Sequence, residues 1–261
     1  MDERDLRCDI VEVGRRLYAR GLIGGNEGNI SVRRGDTLFV TPAGVCKGFL
    51  TPDMIVRTDL EGRAQGAGRA STEVQMHTAV YRKRPDVTAV VHAHPPTATG
   101  FAVAGIPLDR PLIAEAVVTL GPVPVIPYGQ PATSELARNV GDAICGAHAL
   151  LMANHGALTV GESLYRAWER METVEQLAKV ALVTRILGQD RLLPGAAVEG
   201  LLLARAEAGY PAPACAPGEA PAAPGPPAYA PAADGAVTLT RRELARLVEE
   251  ALERFGGGRG R

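Results

Sequence analysis

Two histidines separated by one residue, His92 and His94, end a short apolar run at residues 87–91. Side chains in a β-strand alternate between its two faces, so residues two apart point in the same direction. Two imidazoles that leave a strand end side by side are suited to bind one metal ion. Two solvated histidines at the start of a loop would give the same pattern. The interpretation therefore depends on whether the chain offers further ligands.

Glu73 and His155 stand in positions that suit the same ion. Glu73 lies in the first turn of a predicted helix just before the His92 strand, and His155 follows a predicted strand and precedes Gly156. Three imidazoles and one carboxylate form a complete tetrahedral ligand set for Zn²⁺. A carboxylate ligand can also be displaced by substrate and then act as a base. The predicted metal ligands are Glu73, His92, His94 and His155.

The other two of the five histidines carry weaker signals. His77 lies four residues after Glu73 on the same predicted helix. It is interpreted as a helix-surface residue, and support of Glu73 is the alternative. His148 precedes a predicted strand and is interpreted as structural or exposed.

Three short segments near these residues have the composition of an anion site. Asn29 lies in a glycine-rich loop, Ala43 and Gly44 lie in the turn TPAG, and Ser71 or Thr72 caps the helix that carries Glu73. Backbone N–H groups and small hydroxyls at a helix N-terminus form a phosphate cradle. Each segment alone is typical of an ordinary turn or cap. Their proximity in sequence to Glu73 favours a phosphate-binding role.

The elements that position these residues alternate between helix and strand. Helical periodicity and start and stop signals predict helices over residues 3–20, 72–83 and 162–187. Residues 30–32 and 38–40 form a predicted hairpin, and residues 87–94 and 149–153 form predicted buried strands. Several strands between helices in one compact unit predict a three-layer α/β/α domain.

Composition excludes several classes of function. The chain has 261 residues and a net charge of −1, which favours one substantial domain and gives no sign of a nucleic-acid-binding surface. No apolar run is long enough for a membrane span, and the charged start MDERDLRCDI lacks a signal core. The four cysteines form no CxxC motif. We interpret them as small buried apolar residues of a protein in a reducing cytoplasm, rather than as disulfides or zinc ligands.

The composition changes after Tyr210. Residues 211–237 are mostly Pro, Ala and Gly and predict a semi-rigid linker after a catalytic domain at residues 1–210. Residues 238–256 predict a tethered amphipathic helix, since Thr240 and Glu243 form a capping box and Gly256 ends the pattern. Its apolar positions are Leu244, Leu247, Val248, Ala251, Leu252 and Phe255. The helix either docks on its own catalytic domain or binds another partner.

Five motifs together resemble the class II aldolase/adducin family, in particular its L-fuculose-phosphate aldolase branch. They are GNEGNISVR (25–33), TPAGVCKG (41–48), STEVQMH (71–77), VVHAHPPTATGFAVAG (90–105) and NHGALTVG (154–161), in family order over residues 5–210. The resemblance implies a central, largely antiparallel sheet and a Zn²⁺ site at the four ligands given above. It also implies that phosphate is bound by Gly28, Asn29, Ala43, Gly44, Ser71 and Thr72.

The implied reaction is cleavage of a ketose 1-phosphate, such as L-fuculose 1-phosphate, to dihydroxyacetone phosphate and an aldehyde such as L-lactaldehyde. Pentulose-phosphate 4-epimerases, a sugar-acid-phosphate decarboxylase and a thiosugar-phosphate dehydratase share this kind of metal site and remain alternatives. A non-catalytic, adducin-like interaction module would lack the metal ligands, and all four are present here.

Similar enzymes are four-fold symmetric tetramers that use a tyrosine of the neighbouring subunit. The matching segment here, residues 109–113, contains no tyrosine. Tyr128 and Tyr210 are the available phenols, and Tyr210 is predicted as the catalytic tyrosine that closes over the site. The C-terminal helix resembles an encapsulation peptide of bacterial microcompartments. Residues 238–255 are therefore predicted to bind shell or cargo proteins.

Overall fold

Seven strands form one sheet in the computed structural model, which describes residues 2–216. The strands are β1 (Asn29–Arg34), β2 (Thr37–Val40), β3 (Val56–Thr58), β4 (Ala89–Ala93), β5 (Val125–Ile126), β6 (Ala149–Met152) and β7 (Gly156–Gly161). Their order is β3-β2-β1-β4-β7-β6-β5. All neighbouring pairs are antiparallel except β5 and β6, which are parallel. The expected, largely antiparallel sheet is confirmed.

Helices cover both faces of this sheet. They are α1 (Glu3–Ala19), α2 (Val74–Lys83), α3 (Pro96–Val103), α4 (Ala114–Thr119), α5 (Ser134–Ala143), α6 (Leu164–Ile186) and α7 (Gly195–Glu207). One apolar core lies between the sheet and α1, α3, α4 and α6. A second core lies between the sheet and α2 and α5. The predicted three-layer α/β/α architecture is therefore confirmed. None of the helices in residues 2–216 has the length and apolar character that a membrane span requires.

Strand β4 shows how the two layers determine the direction of the histidines. Ala89, Val91 and Ala93 belong to the core under α1 and α6. Val90 belongs to the core under α2, so His92 points to the α2 side as well. Helix α3 then begins at Pro96, a position where proline is favoured because the first helical N–H has no partner in the helix. His92, near the end of β4, and His94, just after it, therefore lie next to the start of α2.

The start of α2 differs from the prediction. The helix begins at Val74, Glu73 occupies the N-cap position, and no side chain caps the helix. The expected N-cap at Ser71 or Thr72 is therefore one or two residues too early, although the Ser71 hydroxyl does accept from the Glu73 N–H at 3.3 Å. A tertiary contact also holds this turn, because the Ser71 N–H donates to the Thr41 carbonyl oxygen at 3.0 Å. This bond keeps Ser71 in a turn beside the end of β2, with Glu73 at the N-terminus of the helix.

The interpretation of the cysteines is also wrong. Cys145 and Cys215 form a disulfide across 70 positions, Cys8 is exposed and Cys46 is partly exposed. Residues 211–216 return over the domain, where the Pro211 carbonyl accepts from His148 Nε2 at 2.9 Å and the Ala216 N–H donates to the Lys83 carbonyl at 2.9 Å. Sequence spacing alone does not reveal this contact. The remainder of the predicted linker and the predicted helix at residues 238–256 lie outside the described residues.

Reducing the disulfide is expected to lower the stability of the domain. A cross-link over a loop of this size restricts the unfolded chain and contributes at most about 4 kcal/mol. A thiol reductant should lower the melting temperature of the wild-type chain, and Cys145→Ser should give the same lowered value with or without reductant. Cys8→Ser is the matched control and should melt like the wild type under both conditions. Equal melting of all three proteins in the absence of reductant would contradict the bond.

Candidate metal centre

The four predicted ligands meet at one point on the sheet. His92 Nε2 lies 3.1 Å from His94 Nε2 and 3.5 Å from Glu73 Oε2. His155 Nε2 lies 3.2 Å from Glu73 Oε1. The ligand atoms of the three histidines all lie within 4.8 Å of one another. Residues separated by up to 82 positions, from Glu73 to His155, are therefore brought together as the motifs indicate.

Close backbone packing positions the histidines. A side chain on Gly156 would come within 2.6 Å of the Ala93 carbonyl and 2.7 Å of the His94 ring, so only glycine fits after His155. Asn154, just before His155, has a left-handed backbone with φ of 55°, which asparagine tolerates better than most residues. The tight turn at the start of β7 thus directs His155 towards the end of β4.

The hydrogen bonds of the cluster fit a cation. The His92 Nδ1–H donates to the Ala157 carbonyl at 2.8 Å, which leaves a lone pair on Nε2 facing His94 and Glu73. Glu73 Oε1 is buried and makes no hydrogen bond within the described residues. Four ligands about 2.0–2.1 Å from a tetrahedral zinc ion lie about 3.3–3.4 Å apart. Three distances in the cluster, of 3.1, 3.2 and 3.5 Å, lie near this value. The two distances to Glu73 use different carboxylate oxygens and the histidine atoms lie within 4.8 Å of one another, so it is the donor types and their convergence that fit, not an exact tetrahedral spacing. The donor set therefore suits a divalent ion.

The electrostatics keep the ligands in the states that bind a metal. Burial lowers the pKa of His92 to about 3, so its imidazole is neutral at physiological pH. Burial also lowers the pKa of His94, and repulsion from His155 adds to this effect. For Glu73, burial acts to raise the pKa, but the contacts with His155, His92 and Asn29 outweigh it and hold the pKa below its usual range. Neutral imidazoles and an ionised carboxylate are the required ligand forms.

A buried polar network supports Glu73 from the sheet side. Asn29 lies directly opposite His92 in the pairing of β1 with β4, and its Nδ2 donates to Glu73 Oε2 at 2.8 Å. Its Oδ1 contacts His77 Nε2. His77 Nδ1 lies 2.6 Å from the Ser31 hydroxyl, which lies 2.7 Å from the Tyr81 hydroxyl. His77 is fully buried, so its interpretation as a helix-surface residue is wrong and the alternative, support of Glu73, agrees with these contacts.

The segments of the predicted phosphate site are joined by backbone hydrogen bonds. Thr41 pairs with Ile30 through its N–H at 3.0 Å and its hydroxyl at 3.1 Å, and its carbonyl holds Ser71. The Ala43 N–H donates to the Arg69 carbonyl at 2.9 Å. The sequence segments around Asn29, Ala43 and Ser71 therefore lie side by side next to Glu73.

Two glycines shape these loops. Gly28 has a φ of 72°, and a side chain there would lie 2.8 Å from the His92 carbonyl, so the loop lies directly against the metal-binding strand. Gly44 has a φ of 71° and faces open space, where a ligand can approach its backbone. Thr72 is exposed at the same edge.

Comparison with known proteins agrees with this geometry. The chain matches the family described as Class II Aldolase and Adducin N-terminal domain over residues 8–182. The chain belongs to this family. As a class II aldolase family member with named aldolase and decarboxylase relatives, it is a metal-dependent enzyme of the lyase type.

Three relatives illustrate the range of this class II aldolase family. A 3-oxo-tetronate 4-phosphate decarboxylase of Escherichia coli is 32% identical over 186 residues, covering 69% of this chain and 88% of the relative. A 5-methylthioribulose-1-phosphate/5-deoxyribulose-1-phosphate aldolase of Rhodospirillum rubrum is 34% identical over 197 residues, covering 76% and 89%. The crystal structure of L-fuculose-1-phosphate aldolase from Thermus thermophilus superimposes with a TM-score of 0.65 at 35% identity, covering 74% and 100%.

Tyr210 does not join the cluster within one chain of this family member. Its ring lies against the Arg166 guanidinium, 4.0 Å from the ring centre. Arg166 lies in the first turn of α6, which follows the C-terminal end of β7. His155 precedes the other end of this strand. Tyr128, the other available phenol, is exposed. In the segment 109–113, which contains no tyrosine, Arg110 forms an ion pair with Asp190. The catalytic role of Tyr210 stays a prediction.

The sequence analysis missed Lys47, which follows the turn TPAG. Its side chain is buried with 3% exposure, and Nζ donates to the Asn26 carbonyl at 2.5 Å. Burial lowers its pKa, and the charges of Glu27 and Glu73 counteract this effect. A lysine three residues after a glycine of a predicted anion site was a usable signal. The chain therefore has a buried lysine close enough to the candidate metal centre for the Glu73 charge to act on it.

Proposed function

We propose that the chain is a zinc-dependent aldolase that cleaves a ketose 1-phosphate to dihydroxyacetone phosphate and an aldehyde. L-Fuculose 1-phosphate, which would yield L-lactaldehyde, or a similar deoxy-ketose phosphate is the proposed substrate. The observation that carries the proposal is the meeting of Glu73 with His92, His94 and His155 beside loops of phosphate-binding composition. The two aldolases described above support the choice of reaction.

The proposed metal ligands are the three histidines and Glu73. A divalent ion held there supplies Lewis-acid stabilisation of the charge that develops on the substrate carbonyl oxygen. The three nitrogens and one carboxylate suit Zn²⁺, although such sites also accept other divalent ions. The chain's own contribution is a rigid, preoriented donor set, because His92 is fixed by the Ala157 carbonyl and Glu73 by Asn29.

Glu73 is the proposed base. In the cleavage, the C3–C4 bond breaks, the C4 hydroxyl loses its proton, and C3, the carbon beside the carbonyl, gains one. The Glu73 carboxylate is ionised and lies at the N-terminus of α2, where it would take up the proton that the C4 hydroxyl loses and, once displaced from a bound metal, pass it to C3. Tyr210 is proposed to close over the site of a neighbouring subunit, since it lies at the far end of the sheet in its own chain.

The proposed phosphate site lies around Asn29, the turn TPAG and the start of α2. Asn29 Nδ2 carries two hydrogens, and one of them is committed to Glu73. The N-terminus of α2 adds a favourable dipole for an anion. The proposed residues are Gly28, Asn29, Ala43, Gly44, Ser71 and Thr72.

Decarboxylation of a phosphorylated keto acid is the second candidate. A decarboxylase relative is as similar to this chain as the aldolase relatives are. Loss of CO₂ from a β-keto acid leaves an electron pair beside a carbonyl, as aldol cleavage does, so the same site serves either reaction. The buried Lys47 ammonium offers a cation near the metal cluster that suits a substrate carboxylate.

Product assays of the purified full chain separate the two candidates. With zinc and L-fuculose 1-phosphate or 5-deoxyribulose 1-phosphate, we expect release of dihydroxyacetone phosphate, measured by coupled reduction with NADH. With 3-oxo-tetronate 4-phosphate, the second candidate predicts release of CO₂ together with dihydroxyacetone phosphate, so a direct CO₂ measurement distinguishes decarboxylation from aldol cleavage. Glu73→Gln is the control for background cleavage. If none of the three compounds is consumed, both proposals fail.

The proposed assembly is a cytoplasmic homotetramer with active sites at subunit boundaries. A tetramer gives Tyr210 a neighbouring site to act on, which one chain does not. Residues 238–255 are proposed to direct this assembly to a bacterial microcompartment through shell or cargo proteins. A fusion of that segment to a fluorescent reporter should form foci in shell-forming cells, and diffuse fluorescence there would contradict the targeting.

A further inference from the structure

The network behind Glu73 follows a regular pattern. Asn29 and Ser31 lie two apart on β1 and therefore face the same side. Glu73, His77 and Tyr81 lie four apart along α2 and its N-cap, so they line one side of the helix. Each helix residue contacts a strand residue through a side-chain polar atom. The result is a continuous ladder from Tyr81 to Glu73.

The direction of the hydrogen bonds from Glu73 as far as the Ser31 hydroxyl follows from the carboxylate. Because ionised Glu73 can only accept, Asn29 must present Nδ2 to it and Oδ1 to His77. His77 must then carry its proton on Nε2 and donate it to Asn29. Its Nδ1 is left as an acceptor for the Ser31 hydroxyl at 2.6 Å. Burial lowers the pKa of His77 to about 4, which agrees with a single ring proton.

We infer that His77 is a positioning residue, whose Nε2–H orients the Asn29 amide so that Asn29 holds Glu73 in its metal-binding position. Without this donor the buried Oδ1 of Asn29 loses its partner, and the amide is held only by Glu73. The Asn29 side chain can then shift to satisfy Oδ1, which weakens the hydrogen bond that holds Glu73. Ser31 and Tyr81 act one step further back by holding His77 in the required tautomer.

The inference rests on the proposed role of Glu73 as metal ligand and base. It predicts that the loss of His77 weakens metal binding and lowers kcat. Because Asn29 is also a proposed phosphate residue, KM for the phosphorylated substrate is expected to rise as well. Removing such an outer partner typically costs about 10–100-fold in metal affinity or activity. A core histidine with a purely structural role would instead lower stability and leave the metal affinity of the folded protein unchanged.

Three substitutions at one position test the donor itself. In His77→Gln, the side-chain amide reaches as far as the imidazole Nε2 and can still donate to Asn29. In His77→Asn, the shorter amide reaches Ser31 only, and His77→Leu removes both contacts. We expect His77→Gln to keep metal affinity and kcat close to wild type. We expect His77→Asn and His77→Leu to lose about 10–100-fold in each.

Metal affinity is measured on the full chain by competition with a chromophoric zinc chelator, so this readout does not depend on the substrate. Melting curves confirm that each variant is folded. If the His77 variants do not fold, Ser31→Ala serves in their place, because it removes the Ser31 hydroxyl bond to His77 Nδ1 and should weaken zinc binding in the same direction. Wild-type zinc affinity in a folded His77→Leu or Ser31→Ala would overturn the inference, as would an equal loss in His77→Gln and His77→Leu. If Glu73→Gln also kept wild-type zinc affinity, the proposed role of Glu73 would fail instead.

Discussion

Replacing Glu73 with glutamine is expected to abolish turnover and to leave phosphate binding intact. The amide has nearly the same shape as the carboxylate but cannot accept and return a proton at physiological pH. Acid–base groups contribute about 10²–10⁴-fold to rate, so kcat should fall by that factor. The phosphate loops are bonded to one another through Thr41 and Ser71, independently of the Glu73 carboxylate. Inorganic phosphate should therefore bind to the wild type and to Glu73→Gln with equal affinity.

The control for the glutamate-to-glutamine change is Glu12→Gln. Glu12 lies on α1, where it pairs with Arg15 and Arg16 and makes no contact with the cluster. Steady-state kinetics should show wild-type kcat for this variant. Phosphate affinity, measured by calorimetry, should be unchanged in both variants. Retained turnover in Glu73→Gln would contradict its role as the base.

The convergence of the four candidate metal ligands was predictable because their signals are local. The alternation of side chains along a strand puts His92 and His94 on one side, and the two rings do lie together, although β4 ends at Ala93, one residue before His94. Glu73 and His155 were recognised by residue type next to a helix start and a strand end. The three-layer fold was predictable from the alternation of helices and strands along the chain, and tertiary contacts did not change that alternation.

The features that were missed depend on contacts between distant segments. His77 looks like an exposed helix residue until β1 is packed against α2, and only then is it buried against Asn29 and Ser31. Burial of Lys47 follows from its Asn26 contact and from the packing of its backbone against Gly14 of α1. The partner of Cys145 lies 70 residues away, in a segment whose composition resembles a linker. Local periodicity carries no information on such contacts.

Removing one ligand is expected to separate metal binding from stability. His94 is the best position for this test, because its side-chain hydrogen-bond contact within the described residues is with His92 alone. His94→Ala should therefore melt close to the metal-free wild type and bind zinc far more weakly. A ligand present at about 100 times its Kd stabilises a folded protein by about 2.7 kcal/mol. The wild type should show this gain on addition of zinc, and His94→Ala should show almost none.

A buried histidine outside the cluster provides the matched control. His148 is buried, and its Nε2 donates to the Pro211 carbonyl, so His148→Gln should lower the stability of the metal-free protein. It should nevertheless keep the full zinc-dependent gain, because it is not a ligand. Chemical unfolding of both variants with and without zinc measures the two effects separately. A zinc-dependent gain that survives in His94→Ala, or disappears in His148→Gln, would contradict the assignment of the cluster as the metal site. The opposite responses of the partly buried His94 and the buried His148 would show that metal binding belongs to the geometry at the end of β4 rather than to imidazoles inside the protein in general.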